Sequence, residues 1–303
     1  MTTLKGEDAK KFLKTVKENE NKKVGPTPTP NLSKALRKIR KMQGIPTELD
    51  HLKETAEDYT SAYSRLPKVI VLATGGLDST LCIARLASVG FDVTPLFFDY
   101  GQYPKRLEEE ALRKCSGIIS RRMDWRDKKG KGLVRTVEKS TISLNPTLEP
   151  GIANLNGREI MLIGAAASWA YIHGNDFSYI AIGSHSENVA PGCKPGEFDY
   201  LMDRTLEVAT EGKMNLLLPI RDLLEEQVGK ELHEYLNLKL TYNCYWDPPC
   251  GFKSKKESYR CPGCQRKALS MKSAGAYTEE EMKWPNLTRK TYEPLDGIAE
   301  DRK

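Results

Sequence analysis

From Lys68 onward, short apolar runs alternate with stretches of helical periodicity. Val69-Ile70-Val71-Leu72-Ala73 is continuous and β-branched, the pattern of a strand buried on both faces. A glycine turn follows, and a helix opens over Leu81 to Leu86. Phe91 to Phe98 reads as a second strand, Tyr103 to Cys115 as a helix rich in Glu and Arg, and Ile118 to Met123 as a third strand. The alanine-rich stretch Arg158 to His173 predicts an apolar helix, and Tyr179 to Ile182 a short buried strand. Phe198 to Ala209 is helical in pattern, Asn215 to Pro219 extended, and Leu223 to Leu236 helical again. Strands alternating with helices predict a parallel sheet covered on both sides, with ligands at the carboxyl ends of its strands. The first glycine turn lies there.

The first 67 residues read differently. Residues 1–22 carry Phe12, Leu13 and Val16 at helical spacing, and Gly25-Pro26-Thr27-Pro28-Thr29-Pro30 is a stiff, extended linker. Further helical stretches run from Asn31 to Met42 and from Pro46 to Ser64. Residues 1–66 hold fourteen Lys/Arg against nine Asp/Glu, which is five of the net +6; the remainder is nearly neutral. A neutral body with a basic arm does not read as a nucleic-acid-binding core, although the arm can touch nucleic acid or an acidic partner. The arm is expected to be peripheral to the body.

Composition narrows the class. With 39% hydrophobic and 29% charged residues among 303, the chain is expected to fold without disulfides. No apolar run is long enough to span a bilayer, and Met1 to Lys14 shows no signal-peptide pattern, so a cytoplasmic location is expected. Seven cysteines, four of them between Cys244 and Cys264, then favour metal over disulfides.

Two segments carry candidate chemistry. Between strand and helix stands Thr74-Gly75-Gly76-Leu77-Asp78-Ser79-Thr80. Two glycines let the chain turn sharply and present bare N–H groups to an anion, and the helix start adds its dipole. Thr74, Ser79 and Thr80 offer hydroxyls to phosphate oxygens; Asp78 suits a metal ion or a helix cap. A tight turn capped by Asp78 or Ser79 is the plainer alternative. The second segment is Cys244-x5-Cys250-x10-Cys261-x2-Cys264, whose Cys261-Pro262-Gly263-Cys264 turn converges two thiolates. Four thiolates fill a tetrahedral zinc shell, implying a structural Zn²⁺. A redox pair or free thiols are the alternatives, but this Pro/Lys/Gly-rich segment lacks the strand context of a redox motif.

The glycine turn resembles the Ser-Gly-Gly-x-Asp-Ser loop of the PP-loop ATP pyrophosphatases, with Thr74 in place of Ser. Phe97-Phe98-Asp99-Tyr100-Gly101-Gln102 and the four cysteines together resemble the 7-cyano-7-deazaguanine synthase family, over about residues 68 to 272. Asn156-Gly157-Arg158-Glu159 stands where that family shows Pro-Gly-Arg-Asn. Pro191-Gly192-Cys193-Lys194 matches its Pro-Asp-Cys-Arg, and Glu225 occupies a family lysine position. The resemblance implies an adenine-nucleotide α-hydrolase fold: an α/β, Rossmann-like parallel sheet with a C-terminal zinc-binding segment and an N-terminal helical extension. The corresponding boundaries are 1–67, 68–240, 241–274 and 275–303.

The resemblance also implies a site. ATP with Mg²⁺ would lie on Ala73, Thr74, Gly75, Gly76, Leu77, Asp78, Ser79 and Thr80, with its adenosine near Asp99, Tyr100, Gly101 and Gln102. Asp78, Ser79 and Arg158 would take catalytic parts. Arg158, Glu187, Asn188 and Cys193 would bind a deazaguanine carboxylate, and Cys244, Cys250, Cys261 and Cys264 the metal. The implied reaction is adenylation of 7-carboxy-7-deazaguanine, then ammonia attack to the amide and a second activation to the nitrile, in a homodimer. The alternatives are a relative that stops at the amide or serves another amine, and a non-catalytic nucleotide-binding subunit. Of the four histidines only His185 is expected near the site.

Overall fold

A computed structural model of the chain describes residues 47–126, 132–143, 157–174, 176–186, 196–245 and 261–276. Helix α1 (Glu48–Tyr63) starts at a capping box legible in Thr47-Glu48-Leu49-Asp50: Asp50 N–H donates to Thr47 Oγ1 and Thr47 N–H to the Asp50 carboxylate. Strand β1 (Lys68–Leu72), helix α2 (Leu77–Val89), strand β2 (Asp92–Asp99) and helix α3 (Lys105–Arg126) follow. Short strands β3 (Leu133–Val134) and β4 (Glu138–Thr141) come next. Then run α4 (Arg158–Ile172), β5 (Tyr179–Ala181), α5 (Glu197–Ala209), β6 (Asn215–Leu217), α6 (Glu225–His233), a 3₁₀ turn at Leu238–Leu240 and α7 (Pro262–Ser273).

Every pairing in the sheet is parallel. β1 lies at its centre, between β2 (Lys68 opposite Asp92) and β5 (Val69 opposite Tyr179). β6 extends the sheet beyond β5, while β3 and β4 share the outer edge of β2. The chain therefore builds outward from β1 on one side and then crosses to build on the other. That reversal opens a crevice at the carboxyl ends of β1 and β5, where α/β sheets of this kind take ligands. Alternate strand residues serve two cores. Val69, Val71, Val93 and Phe97 pack under α1, α2, α3, α6 and α7, whereas Ile70, Leu96, Phe98 and Ile180 pack under α4 and α5.

Two expectations change, and two short strands are added. Ile118 to Met123 is not a strand but the last third of α3, because Leu112, Cys115, Ile119 and Met123 recur at helical spacing and share one buried face. β3 and β4 carry no apolar run, since an edge position leaves them largely exposed. The arm is not wholly peripheral: Leu52 and Ala56 of α1 lie in the same core as β1 and α2, and Tyr59 stacks edge-on against Tyr179. Residues 1–46 lie outside the described residues.

A buried guanidinium ties the second half of the fold to the first. Arg85 on α2 grips Glu231 on α6 through two 2.6 Å bonds and also donates to Asp222 and the Pro219 carbonyl. Burial works against its charge, yet the two carboxylates outweigh it and raise its pKa. α6 in turn lies so close to α7 that a Cβ on Gly229 would stand 2.6 Å from Ser270. α7 is thus placed by the body of the fold.

Because Leu52 is only 2% exposed, Leu52→Ala should destabilise the protein by about 2 kcal/mol or more, read as a lowered urea midpoint. An unchanged midpoint would make α1 an appendage.

Candidate functional site

The glycine turn sits at the crevice. β1 hands over through Ala73, whose N–H donates to the Leu96 carbonyl, and Thr74 N–H donates to Ser79 Oγ across the turn. Gly75 has φ +74°, and a Cβ there would lie 2.4 Å from the Leu112 backbone nitrogen and 2.8 Å from the Glu108 carbonyl. No other residue fits. Gly76 is different: at φ −74° its Cβ would meet nothing closer than 3.5 Å. Gly76 is the N-cap of α2 and no side chain caps that end, so the first N–H groups of the helix are left for an anion. Asp78 stands in the first turn of α2, half-buried and without a capping bond, where it can meet a cation brought by phosphates. Ala73, Leu77 and Thr80 are buried, so their side chains serve the core and only their backbone can serve a ligand.

A second loop faces the turn. Asp99 ends β2, accepts the Gly101 N–H and pairs with Lys105 at 3.1 Å. Gln102 is buried and turned inward: its carbonyl accepts the Tyr100 N–H, while its amide donates to the Phe98 carbonyl and to Glu108. It shapes the loop rather than reaching out of it. Glu108, on α3, lies against Gly75 and within the influence of Arg158. Burial pushes its carboxyl up from an ordinary 4.5 to about 7, with the Gln102 amide and the Arg158 charge pulling the other way. Arg158 opens α4, hydrogen-bonds the Tyr100 hydroxyl and pairs with Glu159 at 2.8 Å. Burial disfavours its charge, but Glu159 and Tyr100 hold its pKa above the usual arginine value.

The crevice is closed from the other side by the end of β5. A Cβ on Gly183 would stand 2.9 Å from the Asp78 Cβ, so glycine lets that strand reach the turn. Beyond it, Arg221 donates to Ser184 Oγ and to the carbonyl of buried His185, and pairs with Asp199 of α5 at 2.9 Å. Burial raises the Asp199 carboxyl, partly offset by Arg221.

Three cysteines meet beside the turn. Cys244, Cys261 and Cys264 are buried, and their sulfurs lie within 4.8 Å of one another. Cys244 and Cys261 stand 3.9 Å apart, far beyond a disulfide bond. The spacing fits thiolates around one tetrahedral zinc, whose ~2.3 Å bonds give edges of about 3.8 Å. Cys261 caps α7 by accepting the Cys264 N–H, and Pro262 begins the helix. Gly263 cannot be replaced: a Cβ there would fall 1.8 Å from the Asn243 carbonyl oxygen. Cys250, the fourth expected ligand, lies outside the described residues, as do Glu187, Asn188, Gly192 and Cys193.

A switch-point crevice with a glycine turn and a buried cysteine cluster beside it describes a type of site, and comparison with known proteins supplies the family. Residues 68–275 match the family model described as queuosine biosynthesis protein QueC. The chain belongs to the QueC family. Among curated relatives, the 7-cyano-7-deazaguanine synthase of Campylobacter curvus is 28% identical over 237 residues, 74% of this chain and the whole of its own length. That of Leptospira interrogans (serovar copenhageni) is 27% identical over 221 residues, covering 69% of this chain and 88% of its own. Among solved structures, NMN synthetase from Francisella tularensis covers 77% of this chain and 87% of its own, at 13% identity and a TM-score of 0.39.

Two acids singled out in the sequence take their places beside arginines. Glu159 shares part of the Arg158 charge at 2.8 Å. Glu225 lies toward α7, where Arg266 stands 3.9 Å off. Arg221 is committed to Asp199 and the loop after β5. Two parts of this site escaped sequence reading. Glu108 hid in the acidic run Glu108-Glu109-Glu110, although its spacing to Leu112, Cys115 and Ile119 puts it on the inward stripe of α3. Tyr242 and Asn243 read in sequence only as the lead-in to the zinc segment at Cys244, because only the fold brings them to the glycine turn.

Folding raises the Glu108 pKa, so the native state binds the proton more tightly than the unfolded chain does. The Glu108 contribution to stability is then fully present below 4.5, is lost as pH rises toward about 7, and is constant beyond. Urea unfolding against pH should show that slope, and Glu108→Gln should flatten it. An identical slope in the variant would remove Glu108 as its source.

Proposed function

We propose that this chain is an ATP-dependent C–N ligase of the 7-cyano-7-deazaguanine synthase type. The observation that carries the reading is the uncapped α2 N-terminus behind an obligate Gly75, set at the crevice of a QueC-family sheet. ATP would lie with its triphosphate on the N–H groups of residues 75–79, and the Mg²⁺ that accompanies it would be held by Asp78. The carboxylate of 7-carboxy-7-deazaguanine attacks the α-phosphorus, breaking its bond to the bridging oxygen and releasing pyrophosphate. Ammonia adds to the acyl-adenylate carbon, a proton leaves nitrogen, and AMP departs to give the amide. The amide oxygen then attacks the α-phosphorus of a second ATP, releasing pyrophosphate and one N–H proton; loss of AMP and the second N–H proton leaves the nitrile.

The work of the protein's residues in this scheme is positioning and charge neutralisation. Backbone donors at the turn and the α2 dipole offset phosphate charge, and Arg158 draws the carboxylate or the departing phosphate. Glu108, with a pKa near neutrality beside Arg158, suits proton acceptance from the attacking nitrogen. Zn²⁺ on the cysteine cluster would be structural, with Cys250 as fourth ligand. A homodimer in the cytoplasm, with the basic N-terminal extension 1–67 as the contact for nucleic acid or an acidic partner, completes the proposal. No helix among the described residues is long and apolar enough to cross a membrane.

The Arg158–Glu159 pair favours one variation, in which the enzyme stops at the amide or passes the acyl group to another amine. Product mass after incubation with 7-carboxy-7-deazaguanine, Mg-ATP and ammonium separates the two. The nitrile, with two AMP per turnover, is expected. The amide with one AMP supports the variation, and no AMP at all rejects ATP activation.

A further inference from the structure

We infer that Tyr242 and Asn243 are positioning residues for the glycine turn, held against it by the metal on the cysteine cluster. Tyr242 donates its backbone N–H to the Gly75 carbonyl at 2.8 Å. That carbonyl belongs to the one residue of the turn whose φ only glycine adopts readily, so the bond fixes its least ordinary conformation. One residue on, the Asn243 amide nitrogen stands 3.5 Å from where a Gly76 Cβ would be, over the N-cap of α2. Its side-chain oxygen is buried with no hydrogen-bond partner among the described residues. A buried, unsatisfied amide oxygen is costly, and it is tolerated where a ligand or its bound water supplies the missing donor.

The same two residues are clamped from behind. The Asn243 carbonyl is pressed onto Gly263, in the middle of the Cys261–Cys264 turn, with no room for a methyl group. Cys244, the next residue, is one of the three clustered thiols. Segment 242–244 is therefore a strip one residue thick, with the glycine turn on one face and the metal knuckle on the other. The knuckle cannot drift, because α7 is packed against α6 and α6 is locked to α2 by the Arg85 network. Without metal nothing ties the Cys244 sulfur to those of Cys261 and Cys264, and the strip loses its backing. Metal occupancy then reaches the nucleotide site through two residues, and Asn243 adds a polar group to its wall.

The inference about nucleotide rests on the ATP reading above, but the clamp can be read without ATP. Hydrogen–deuterium exchange over residues 73–80 is compared in zinc-replete and chelator-treated protein, and Mg-ATP binding is measured by calorimetry on both. Faster exchange in the turn, with β1 and β2 still protected, and at least a fivefold weaker Mg-ATP affinity are expected, about the effect of losing one hydrogen bond. If chelation also exposes β1 and β2, Asn243→Ala with full zinc content decides. It should weaken Mg-ATP binding about fivefold at an unchanged melting temperature. Unchanged turn exchange on metal removal, or wild-type affinity in Asn243→Ala, overturns the inference. Should the wild type fail to bind Mg-ATP, the ATP reading falls while the exchange comparison still judges the clamp.

Discussion

Backbone meets backbone at Gly75, and much of the architecture follows from that contact. The turn after β1 is wedged between the α3 main chain, 2.4 Å from where a Cβ would sit, and the Tyr242 N–H, which takes its carbonyl. Side chains adjust to a neighbour; peptide groups at this distance do not. The packing of α3 on the sheet, the placement of residues 242–244 and the direction of the first N–H groups of α2 are therefore set together. Gly183 and Gly263 repeat the device on either side, where two more chain segments approach too closely for any side chain. Three glycines far apart in sequence thus close one crevice.

Charge is divided between two tasks. The Arg85 cluster with Glu231 and Asp222 is satisfied on every side and buried, which suits a fastening rather than a reagent. Around the crevice the groups are less settled. Glu108 titrates near neutrality, Arg158 is shared between Glu159 and Tyr100, and Asp199 is lifted by burial against Arg221. Perturbed groups gathered at the switch point of a parallel sheet are what a catalytic crevice looks like. Family membership gives that pattern a chemical setting, and the Arg158–Glu159 pair adds an acid to its rim.

The cysteine cluster joins the two themes. Its thiols are held by a helix that the body of the fold positions, and they back the strip that touches the glycine turn. A structural metal is usually thought of as stabilising its own loop. Here the loop that a metal on this cluster would stabilise forms part of the wall around the residues proposed to hold nucleotide.

The sequence by itself determined what depends on neighbours along the chain. The apolar run of β1, the Gly75-Gly76 turn into α2, the helical stretch ending at Ser64 and the Cys261–Cys264 knuckle are local patterns with local causes, and each was legible. Local period also misled: Ile118 to Met123 is apolar enough for a strand, and only its register with Leu112 and Cys115 on one buried face makes it helix. What tertiary structure decided is which surfaces touch. Leu52 joins the main core, Gln102 turns inward, and Gly75 rather than Gly76 becomes the obligate glycine. Glu108 among three adjacent acids becomes the one whose pKa burial raises, while salt-bridged Glu109 and Glu110 are lowered. Tyr242 reaches Gly75 across more than 160 positions of chain. Desolvation and steric exclusion are properties of a place rather than of a residue, and that place exists only once the sheet has closed.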